Sequence, residues 1–407
     1  MSLHLYKSSA KLHGTIHLSS SKSESNRLLL MSALSEKPFD LKNVSDAKDT
    51  QTMLRLLNQE DKLWDVMEAG TTMRFCTAYL ALKGQGHTIT GTERMKQRPI
   101  GILVDALNEL GCEIKYLENA GYPPLNINAL RHQKRNAISV PGNISSQFIS
   151  ALLMIAPSLP AGLNLTLTED IFSRPYIEMT LSLMQEFGIS HVWSDNTISI
   201  KPQPYQSKEH TVESDWSGAS YWYVMAAVAE EAELTLKGLK KQSLQGDSRI
   251  VEIMKSFGVT TDFEDNQLTI RKEEEFEKEL SIDFKTCPDL AQGVMVAAAL
   301  KRITLHMTGL ETLKIKETDR IDAMRRELSK IGTQLIENAD GTKWQLVPGN
   351  DDFEAPEIET YEDHRMAMAF GPLALRSDLT VKEPEVIKKS YPGYWEDLKS
   401  VGIEMSY

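Results

Sequence analysis

A helical pattern recurs along the chain, in which an amphipathic segment ends at a glycine and a strand-like run follows. These glycines are Gly111, Gly188, Gly258, Gly332 and Gly402, at spacings of 77, 70, 74 and 70 residues. Glycine commonly ends helices because it adopts the left-handed conformation without steric cost. An earlier copy ends at Asn58, 53 residues before Gly111, and asparagine also tolerates that conformation. The pattern predicts six amphipathic helices that end at these positions.

A second kind of helix precedes each amphipathic one and is rich in Ala, Met and Leu, which is typical of helices buried on all sides. These segments span residues 25–34, 71–82, 146–159, 217–229, 290–300 and 364–375. Short β-rich runs, such as 88–90 and 163–167, separate the helices. The alternation predicts six copies of one α/β unit of about 70 residues, arranged as two lobes of three units. The first copy is shorter and has lost a hairpin around residues 59–64. The alternative is two unrelated α/β domains whose periodicity arises by chance.

Composition indicates an ordinary globular protein. The chain has 407 residues, 41% of them hydrophobic, and a net charge of −12, so its surface as a whole repels nucleic acid and anionic membranes. No apolar stretch approaches the roughly 18 to 20 residues of a membrane span, and the first residues lack the apolar core of a signal peptide. We therefore expect a cytoplasmic protein. Three widely spaced cysteines argue against a disulfide framework and against a structural zinc site.

Basic and hydroxyl side chains gather where the repeated helices begin. Helix N termini present N–H groups and a positive dipole end, both of which suit phosphate and carboxylate groups. Any one of these starts is explained equally well as a helix cap or a solvated surface, but together they predict a pocket for small, multiply charged anions. The starts lie at residues 19–27, 68–74, 94–99, 145–147, 173–176, 314–320, 363–365 and 388–389.

The same segments resemble the 5-enolpyruvylshikimate-3-phosphate synthase family in order and spacing. The matching motifs are SKSESNR at 21–27, AGTTMR at 69–74, RMKQRPIG at 94–101, SSQF at 145–148, SRPY at 173–176, KETDR at 316–320, DHRMAMAF at 363–370 and KKSYPGYW at 388–395. The resemblance implies an α/β fold of two lobes with pseudo-threefold symmetry, each lobe built from three βαβαββ units. The first lobe would span residues 21–213, and the second residues 1–20 plus 214–407, with the N-terminal strand returning to the second lobe.

The resemblance also implies an activity, namely transfer of the enolpyruvyl group of phosphoenolpyruvate to the 5-hydroxyl of shikimate 3-phosphate without metal or organic cofactor, by a monomer. Asp289, Glu317 and Lys22 would move the protons. The implied shikimate 3-phosphate contacts are Lys22, Ser23, Arg27, Ser145, Ser146, Gln147, Ser173, Tyr176, Asp289 and Lys316. The implied phosphoenolpyruvate contacts are Lys22, Gly70, Arg98, Gln147, Arg320, His364, Arg365 and Lys389.

Three positions depart from the family pattern, and two other functions stay open. Glu68 and Thr312 stand where Asn is common, and Phe75 stands where many members have Pro. Glu68 puts a negative charge close to the phosphoenolpyruvate pocket. One alternative is the sister transferase that acts on UDP-N-acetylglucosamine and usually relies on a loop cysteine, whereas neither Cys76 nor Cys112 lies where an activated thiol is expected. The other is a non-catalytic homologue that retains the anion pocket.

Overall fold

The computed structural model describes residues 1–8, 10–350 and 353–407. They form two compact units, residues 20–212 and residues 1–19 with 213–407. The chain passes from one unit to the other after residues 19 and 212, in each case one residue earlier than expected from the sequence. The strands are β1 (Ser2–Leu5), β2 (Lys11–His17), β3 (Asp40–Lys42), β4 (Leu63–Asp65), β5 (Gln85–Thr90), β6 (Glu113–Tyr116), β7 (Leu125–Asn128), β8 (Ala137–Pro141), β9 (Leu163–Thr168), β10 (His191–Ser194), β11 (Thr197–Ile200), β12 (Glu209–Thr211), β13 (Glu231–Lys237), β14 (Val259–Glu264), β15 (Gln267–Lys272), β16 (Glu279–Asp283), β17 (Thr304–Thr308), β18 (Gln334–Glu337), β19 (Lys343–Val347), β20 (Glu357–Ile358), β21 (Leu379–Lys382) and β22 (Met405–Ser406).

Helices alternate with these strands, and short 3₁₀ turns lie at Ala156–Ser158, Gly246–Arg249, Pro288–Leu290, Glu311–Ile315, Gly371–Leu375 and Pro384–Lys389. The α-helices are α1 (Lys22–Leu34), α2 (Lys48–Leu57), α3 (Gly70–Lys83), α4 (Glu93–Lys96), α5 (Gly101–Leu110), α6 (Ser146–Ile155), α7 (Arg174–Glu186), α8 (Trp216–Val228), α9 (Ile250–Lys255), α10 (Ala291–Lys301), α11 (Arg320–Ser329), α12 (His364–Ala369) and α13 (Tyr394–Ser400). In the described part of the chain, no helix has both the length and the apolar character needed to cross a membrane.

The unit of residues 20–212 contains three sheets around its own hydrophobic core. Two of them have four strands, in the orders β4-β5-β7-β6 and β8-β9-β11-β10. In each, a parallel pair comes first and an antiparallel hairpin completes the sheet. The third sheet is the single parallel pair of β3 and β12. The first repeat therefore lacks the two hairpin strands that the others have, as its short sequence predicts.

The other unit contains three four-stranded sheets around a second core, in the orders β2-β13-β15-β14, β16-β17-β19-β18 and β20-β21-β1-β22. In the last sheet β1, from the chain's N terminus, pairs antiparallel with β21 and with β22. The strand that precedes residue 20 thus completes a repeat formed at the other end of the chain. This is the return of the N-terminal strand implied by the family resemblance.

All six predicted buried helices are present, and α8 and α10 are almost entirely enclosed. Two are shorter than predicted. The segment 146–159 ends as an α-helix at Ile155, and the segment 364–375 ends at Ala369, each followed by a 3₁₀ turn containing Pro157 or Pro372. Proline has no N–H to donate and its ring clashes with the preceding turn. The α-helical hydrogen bonding therefore stops just before each proline.

The helix ends follow the glycine pattern with one exception. Gly111, Gly188, Gly258, Gly332 and Gly402 all have positive φ, between 72° and 114°. Asn58 does not, because it lies in the right-handed region with φ of −104°. Its side-chain Nδ2 donates to the carbonyl of Leu54 at 2.8 Å and its backbone N–H donates to Arg55. Since these bonds already serve the end of α2, the expectation that Asn58 replaces the left-handed glycine is wrong.

Candidate active site

Ten of the predicted site residues belong to the unit of residues 20–212 and seven to the other unit. In the first unit, Lys22 is the first residue of α1 and its Nζ lies 3.1 Å from the Asp49 carboxylate. Asp49 is buried in the first turn of α2, and its backbone carbonyl accepts a hydrogen bond from the Thr72 hydroxyl in α3. The starts of three helices are thereby linked. Sequence reasoning missed Asp49, because an acidic residue in a first turn is a common helix feature.

Gly70 and Arg98 lie against each other. Gly70 begins α3, whose N terminus carries no side-chain cap, and the buried Arg98 guanidinium is so close that a Cβ on Gly70 would lie 2.6 Å from Nη1. Arg74 holds this arrangement by donating to the Gly70 carbonyl at 3.2 Å and to the Pro99 carbonyl at 2.8 Å. An uncapped helix start beside a guanidinium is well suited to an anion. Arg74 is a second residue that the sequence analysis did not assign.

Arg27 is a buried link between three helices. Its Nε donates to the Thr180 hydroxyl at 2.7 Å, and its Nη atoms donate to the carbonyl of Ser23, to the Ser150 hydroxyl and to the carbonyl of Tyr176. Burial lowers the pKa of Arg27 to about 10, which leaves it charged at neutral pH. Four of its five N–H donors serve the protein in these bonds. Arg27 therefore orders the backbone at Ser23 and Tyr176, two of the other predicted contacts.

The remaining hydroxyl and amide groups of this unit stand at the starts of α6 and α7. Ser145 caps α6 by accepting from the Gln147 N–H, and Ser146 is buried beside it. The Gln147 side chain donates to the Thr71 hydroxyl at 3.1 Å, which connects α6 to the first turn of α3. Ser173 precedes α7 in the left-handed region, with φ of 53° and ψ of 35°. A non-glycine residue in that region is strained, and such strain concentrates at functional sites.

In the other unit the predicted residues form a partly buried ion network around Asp289. One Asp289 oxygen accepts from Arg320 Nη1 at 2.9 Å and lies 3.6 Å from Lys316 Nζ, and the other accepts from Arg365 Nη2 at 2.9 Å. Asp289 lies in the turn Pro288–Leu290, and its side chain binds these cations instead of capping α10. Burial tends to raise the pKa of Asp289, but Arg365, Lys316 and Arg320 outweigh burial and hold the pKa well below its usual range.

Arg320 bridges three carboxylates. Besides Asp289 it donates to Glu317 at 2.9 Å and, through Nε, to Asp363 at 2.7 Å. Only 2% of its side chain is exposed. Burial tends to lower the pKa of Arg320, but Asp363, Glu317 and Asp289 outweigh it, so the pKa is raised and the charge is fixed. Asp363 also caps α12 by accepting a hydrogen bond from the Arg365 backbone N–H at 2.8 Å. Its position before a helix predicts this capping role, but not its ion pair with Arg320.

His364 and Lys389 lie close to this network. His364 is buried at the start of α12, with Nδ1 3.9 Å from the Asp363 carboxylate. Lys389 ends the turn Pro384–Lys389 and donates to the carbonyl of Glu362 at 2.8 Å. Five of the seven predicted residues of this unit thus form one ion network, namely Asp289, Lys316, Glu317, Arg320 and Arg365, while His364 lies beside Asp363 and Lys389 binds the backbone of Glu362, the residue before Asp363. The described residues contain no cluster of three or more His, Cys, Asp or Glu side chains that could hold a metal ion.

The three departures from the family pattern have different surroundings. The Glu68 carboxylate lies 2.8 Å from Lys48 Nζ. Phe75 is fully buried with the Arg27 guanidinium 5.6 Å from its ring centre, a cation–π distance. Phe75 therefore supports a predicted contact residue. Thr312 is buried in the turn Glu311–Ile315.

None of the three cysteines is placed as a reactive thiol. Cys76, Cys112 and Cys287 are free and buried. Burial raises the pKa of Cys112 and of Cys287 to about 12 and that of Cys76 still higher. Thiolate character is what makes a cysteine nucleophilic. The described structure therefore gives no support to the alternative that relies on a loop cysteine.

The comparisons with known proteins agree with one another over nearly the whole chain. A sequence model of EPSP synthase (3-phosphoshikimate 1-carboxyvinyltransferase) matches residues 6–60 and 57–398. A 3-phosphoshikimate 1-carboxyvinyltransferase of Bacteroides fragilis is 48% identical over 402 residues, 98% of both chains, and one of a Sulfurovum species is 35% identical over 96% of this chain and 97% of its own. Among solved structures, EPSP synthase from Acinetobacter baumannii matches both chains completely with a TM-score of 0.79 at 21% identity. The enolpyruvyl transferase NikO from Streptomyces tendae has a TM-score of 0.76 at 10% identity and covers 100% of this chain and 98% of its own. These structural matches establish the two-lobed enolpyruvyl transferase fold.

Proposed function

Because this chain belongs to the EPSP synthase family, the 3-phosphoshikimate 1-carboxyvinyltransferases, we propose that its ion networks and helix starts carry out that family's reaction. The enolpyruvyl group of phosphoenolpyruvate is transferred to the 5-hydroxyl of shikimate 3-phosphate, and phosphate is released. The observation that carries the proposal is the match to the family over nearly the whole chain. The alternatives with UDP-N-acetylglucosamine or with binding alone have no comparable support.

The shikimate 3-phosphate contacts are hydroxyl, amide and cationic groups at the starts of three helices, α1, α6 and α7, and in the Asp289 network. In the unit of residues 20–212, the buried Arg27 supports this set by ordering the backbone of two members. Hydroxyl and amide groups suit a polyhydroxylated ring, and lysine and arginine suit its phosphate. The proposed contacts are Lys22, Ser23, Arg27, Ser145, Ser146, Gln147, Ser173, Tyr176, Asp289 and Lys316.

The phosphoenolpyruvate contacts are dominated by cations, since this substrate carries both a phosphate and a carboxylate. Gly70 with Arg98 offers an uncapped helix start beside a guanidinium, and Arg320 with Arg365 offers two guanidinium groups on one carboxylate. Arginine binds phosphate and carboxylate groups in bidentate fashion. The proposed contacts are Lys22, Gly70, Arg98, Gln147, Arg320, His364, Arg365 and Lys389.

The reaction is an addition followed by an elimination. In the addition, the 5-hydroxyl loses its proton and its oxygen bonds to C2 of phosphoenolpyruvate, while C3 gains a proton. In the elimination, C3 loses a proton, the bond between C2 and the phosphate oxygen breaks, and phosphate departs with the electron pair. Asp289 accepts the hydroxyl proton, and Lys22 and Glu317 move protons at C3. The arginines stabilise charge on the departing phosphate.

In this proposal, Asp289 becomes an effective base only when substrate is bound. Without substrate, its carboxylate is held by three cations that keep its pKa well below the usual range, and such a carboxylate is a weak base. An arriving dianion competes for Arg365 and Lys316, which weakens their hold on Asp289. The pKa of Asp289 then rises toward that of an ordinary carboxylate, and its strength as a base increases with it.

We also propose that the protein acts as a monomer in the cytoplasm. Both substrates are multiply charged anions, and such ions do not cross a bilayer unaided because burying a charge in hydrocarbon is very costly. An enzyme that uses them is therefore expected in the compartment where they are made. Sedimentation of the purified protein at catalytic concentrations tests the monomer, and fractionation of the native cells tests the compartment.

The test of the function is phosphate release from purified protein supplied with phosphoenolpyruvate and shikimate 3-phosphate, with UDP-N-acetylglucosamine as the parallel acceptor. Each reaction is run with and without EDTA. Release with the shikimate ester alone, unchanged by the chelator, supports the proposal. Release only with the nucleotide sugar supports the sister transferase, and no release with either acceptor supports a binding protein; both outcomes contradict the proposal.

A further inference from the structure

A strained turn of residues 360–363 leads into α12. It is closed by a 2.8 Å hydrogen bond from the Asp363 N–H to the Thr360 carbonyl. Its two central residues, Tyr361 and Glu362, both have positive φ, 53° and 56°. Turns with positive φ at both central positions are dominated by Gly, Asn and Asp, because larger side chains are strained there. This turn therefore keeps its conformation only if its surroundings hold it.

The groups that this turn presents contact the proposed phosphoenolpyruvate residues. The Glu362 carbonyl accepts a hydrogen bond from Lys389 Nζ at 2.8 Å. Asp363 accepts from Arg320 Nε at 2.7 Å, and it caps α12 by accepting from the backbone N–H of Arg365. If the turn relaxed to another conformation, the Glu362 carbonyl would be redirected and Asp363 would shift. Three of the proposed contacts would then be disturbed at once.

One buried carboxylate, that of Glu327 in α11, fastens the chain before and within this turn. The Glu327 side chain is 0% exposed. Its Oε1 accepts from the Tyr361 hydroxyl at 2.6 Å, and its Oε2 accepts from the Glu359 N–H at 3.0 Å and from Lys330 Nζ at 2.7 Å. The Tyr361 hydroxyl belongs to a left-handed residue of the turn, whereas Glu359 and Lys330 lie outside it. Burial and the Glu327 carboxylate raise the pKa of Tyr361, so its hydroxyl stays protonated and donates.

From this arrangement we propose that Tyr361 and Glu327 are positioning residues for phosphoenolpyruvate. Their hydrogen bond ties the strained turn to α11, the helix that begins with Arg320. In this conformation the turn holds the groups that orient Lys389 and Arg320. The inference rests on the proposed function and adds to it two residues outside the implied contact sets.

The competing explanation is a hydrogen bond that stabilises the fold and has no part in the site. Both explanations predict a small loss of stability when the Tyr361 hydroxyl is removed, because Glu327 keeps Glu359 and Lys330 as donors. They differ in kinetics and in rescue. A role through the strained turn predicts weaker binding of phosphoenolpyruvate. It also predicts that glycine at residue 362 restores the binding, since glycine adopts positive φ without steric cost.

The test compares the wild type with Tyr361→Phe, with Glu362→Gly and with the double variant that carries both changes. Tyr361→Phe removes the hydroxyl and keeps the ring. The matched control is Tyr223→Phe, which removes the hydroxyl of a buried tyrosine of the same unit, 3.0 Å from the Thr261 hydroxyl. Neither Tyr223 nor Thr261 is a proposed contact. The KM for each substrate is measured at saturating concentration of the other, together with kcat and thermal unfolding.

We expect Tyr361→Phe to raise the KM for phosphoenolpyruvate about 3- to 10-fold, a change that corresponds to the free energy of one hydrogen bond. The KM for shikimate 3-phosphate should change by less than about 2-fold, because most of its proposed contacts belong to the unit of residues 20–212. The double variant should return to within about 2-fold of the wild-type KM for phosphoenolpyruvate. Glu362→Gly and Tyr223→Phe should keep that KM.

Three results would overturn the inference while the wild type remains active. One is a KM for phosphoenolpyruvate that is equal in Tyr361→Phe and Tyr223→Phe. Another is an equal rise in the KM for both substrates in Tyr361→Phe. The third is a double variant as impaired as Tyr361→Phe, because Tyr361 would then not act through the strained turn. A wild type that releases no phosphate overturns the proposed function first, so failure of the function and failure of the inference are distinguishable.

Discussion

Gly70→Ala tests whether the contact between Gly70 and Arg98 belongs to the substrate site. The added Cβ would lie 2.6 Å from Nη1, 2.7 Å from Nη2 and 2.9 Å from Cζ of Arg98. Ordinary carbon contacts begin at about 3.5 Å, so the guanidinium must retreat by about 1 Å. Arg98 is buried, and Arg74 fastens the backbone on both sides of the contact. The displacement therefore falls on the face of the guanidinium that the anion is proposed to use.

The expected loss of activity follows from the hydrogen bonds that the displaced Arg98 guanidinium would no longer make to the substrate. A hydrogen bond to a charged group contributes about 1.5 to 3 kcal/mol, and each 1.4 kcal/mol is a factor of ten. We therefore expect kcat/KM for phosphoenolpyruvate to fall about 10- to 100-fold. Folding should not suffer, because Gly70 is not among the positive-φ glycines and alanine is the better helix former. Stability should stay equal or rise by a few tenths of a kcal/mol, since the first turn of a helix gains only part of that preference.

The assay varies phosphoenolpyruvate at saturating shikimate 3-phosphate and is paired with thermal unfolding. Gly101→Ala is the matched control, because Gly101 begins α5 in the same unit and a Cβ there meets nothing closer than 3.4 Å. The reasoning is refuted if Gly70→Ala and Gly101→Ala give the same kcat/KM for phosphoenolpyruvate. A loss of activity together with a lower melting temperature would instead indicate damage to α3.

Three further predictions concern single side chains. Asp289→Asn should lower kcat by about 10²- to 10⁴-fold, the usual contribution of a general base, with an unchanged far-UV circular dichroism spectrum. Ser173→Gly should relieve about 1 kcal/mol of left-handed strain and raise the unfolding midpoint, yet raise the KM for shikimate 3-phosphate. Burial and the neighbouring Lys272 lower the pKa of Lys301 to about 7, whereas an unfolded lysine has a pKa of about 10.4. Between these two pKa values the unfolded chain binds more protons than the folded one, so the free energy of unfolding should rise with pH from about 7 to 10. Lys301→Met should flatten that rise, as measured by urea unfolding. In this variant Lys272 should still donate to the Ala227 carbonyl, which accepts from both lysines in the wild type.

The helices and their ends were predictable because their signals are local. A segment rich in Ala, Val and Met identifies α8 or α10 without knowledge of its neighbours. A glycine at a helix end likewise carries its conformational preference wherever the chain folds. Gly111 and its four counterparts accordingly have positive φ. Asn58 differs because its side chain can instead donate to the carbonyl of Leu54, which it does in the right-handed conformation. An asparagine that can satisfy a helix end in either conformation does not allow one of them to be predicted.

The supporting residues of the site were not predictable from local signals. Asp49 and Asp363 each look like an ordinary acid at a helix start, and Asp363 does cap α12. Their ion pairs, with Lys22 and with Arg320, join residues 27 and 43 positions apart. Arg74 looks like any basic residue inside a helix. What distinguishes these three is the burial of charge, which appears only once the repeats have packed, since a buried charge needs a partner that the sequence does not name.

The ion network around Asp289 bears on how tightly the proposed site can hold its product. In this network Arg320 and Arg365 already bind Asp289, and Arg320 also binds Glu317 and Asp363. An arginine of this network can bind an entering anion only by giving up one of its carboxylate partners. The free energy gained is therefore smaller than for an arginine that has no partner. Equal extra affinity for substrate and product would not raise turnover, because only interactions that strengthen in the transition state do so. In the proposed phosphoenolpyruvate site, the internal carboxylates would therefore weaken the binding of substrate and of released phosphate alike, and only an interaction that strengthens as the bond between C2 and the phosphate oxygen breaks would raise turnover.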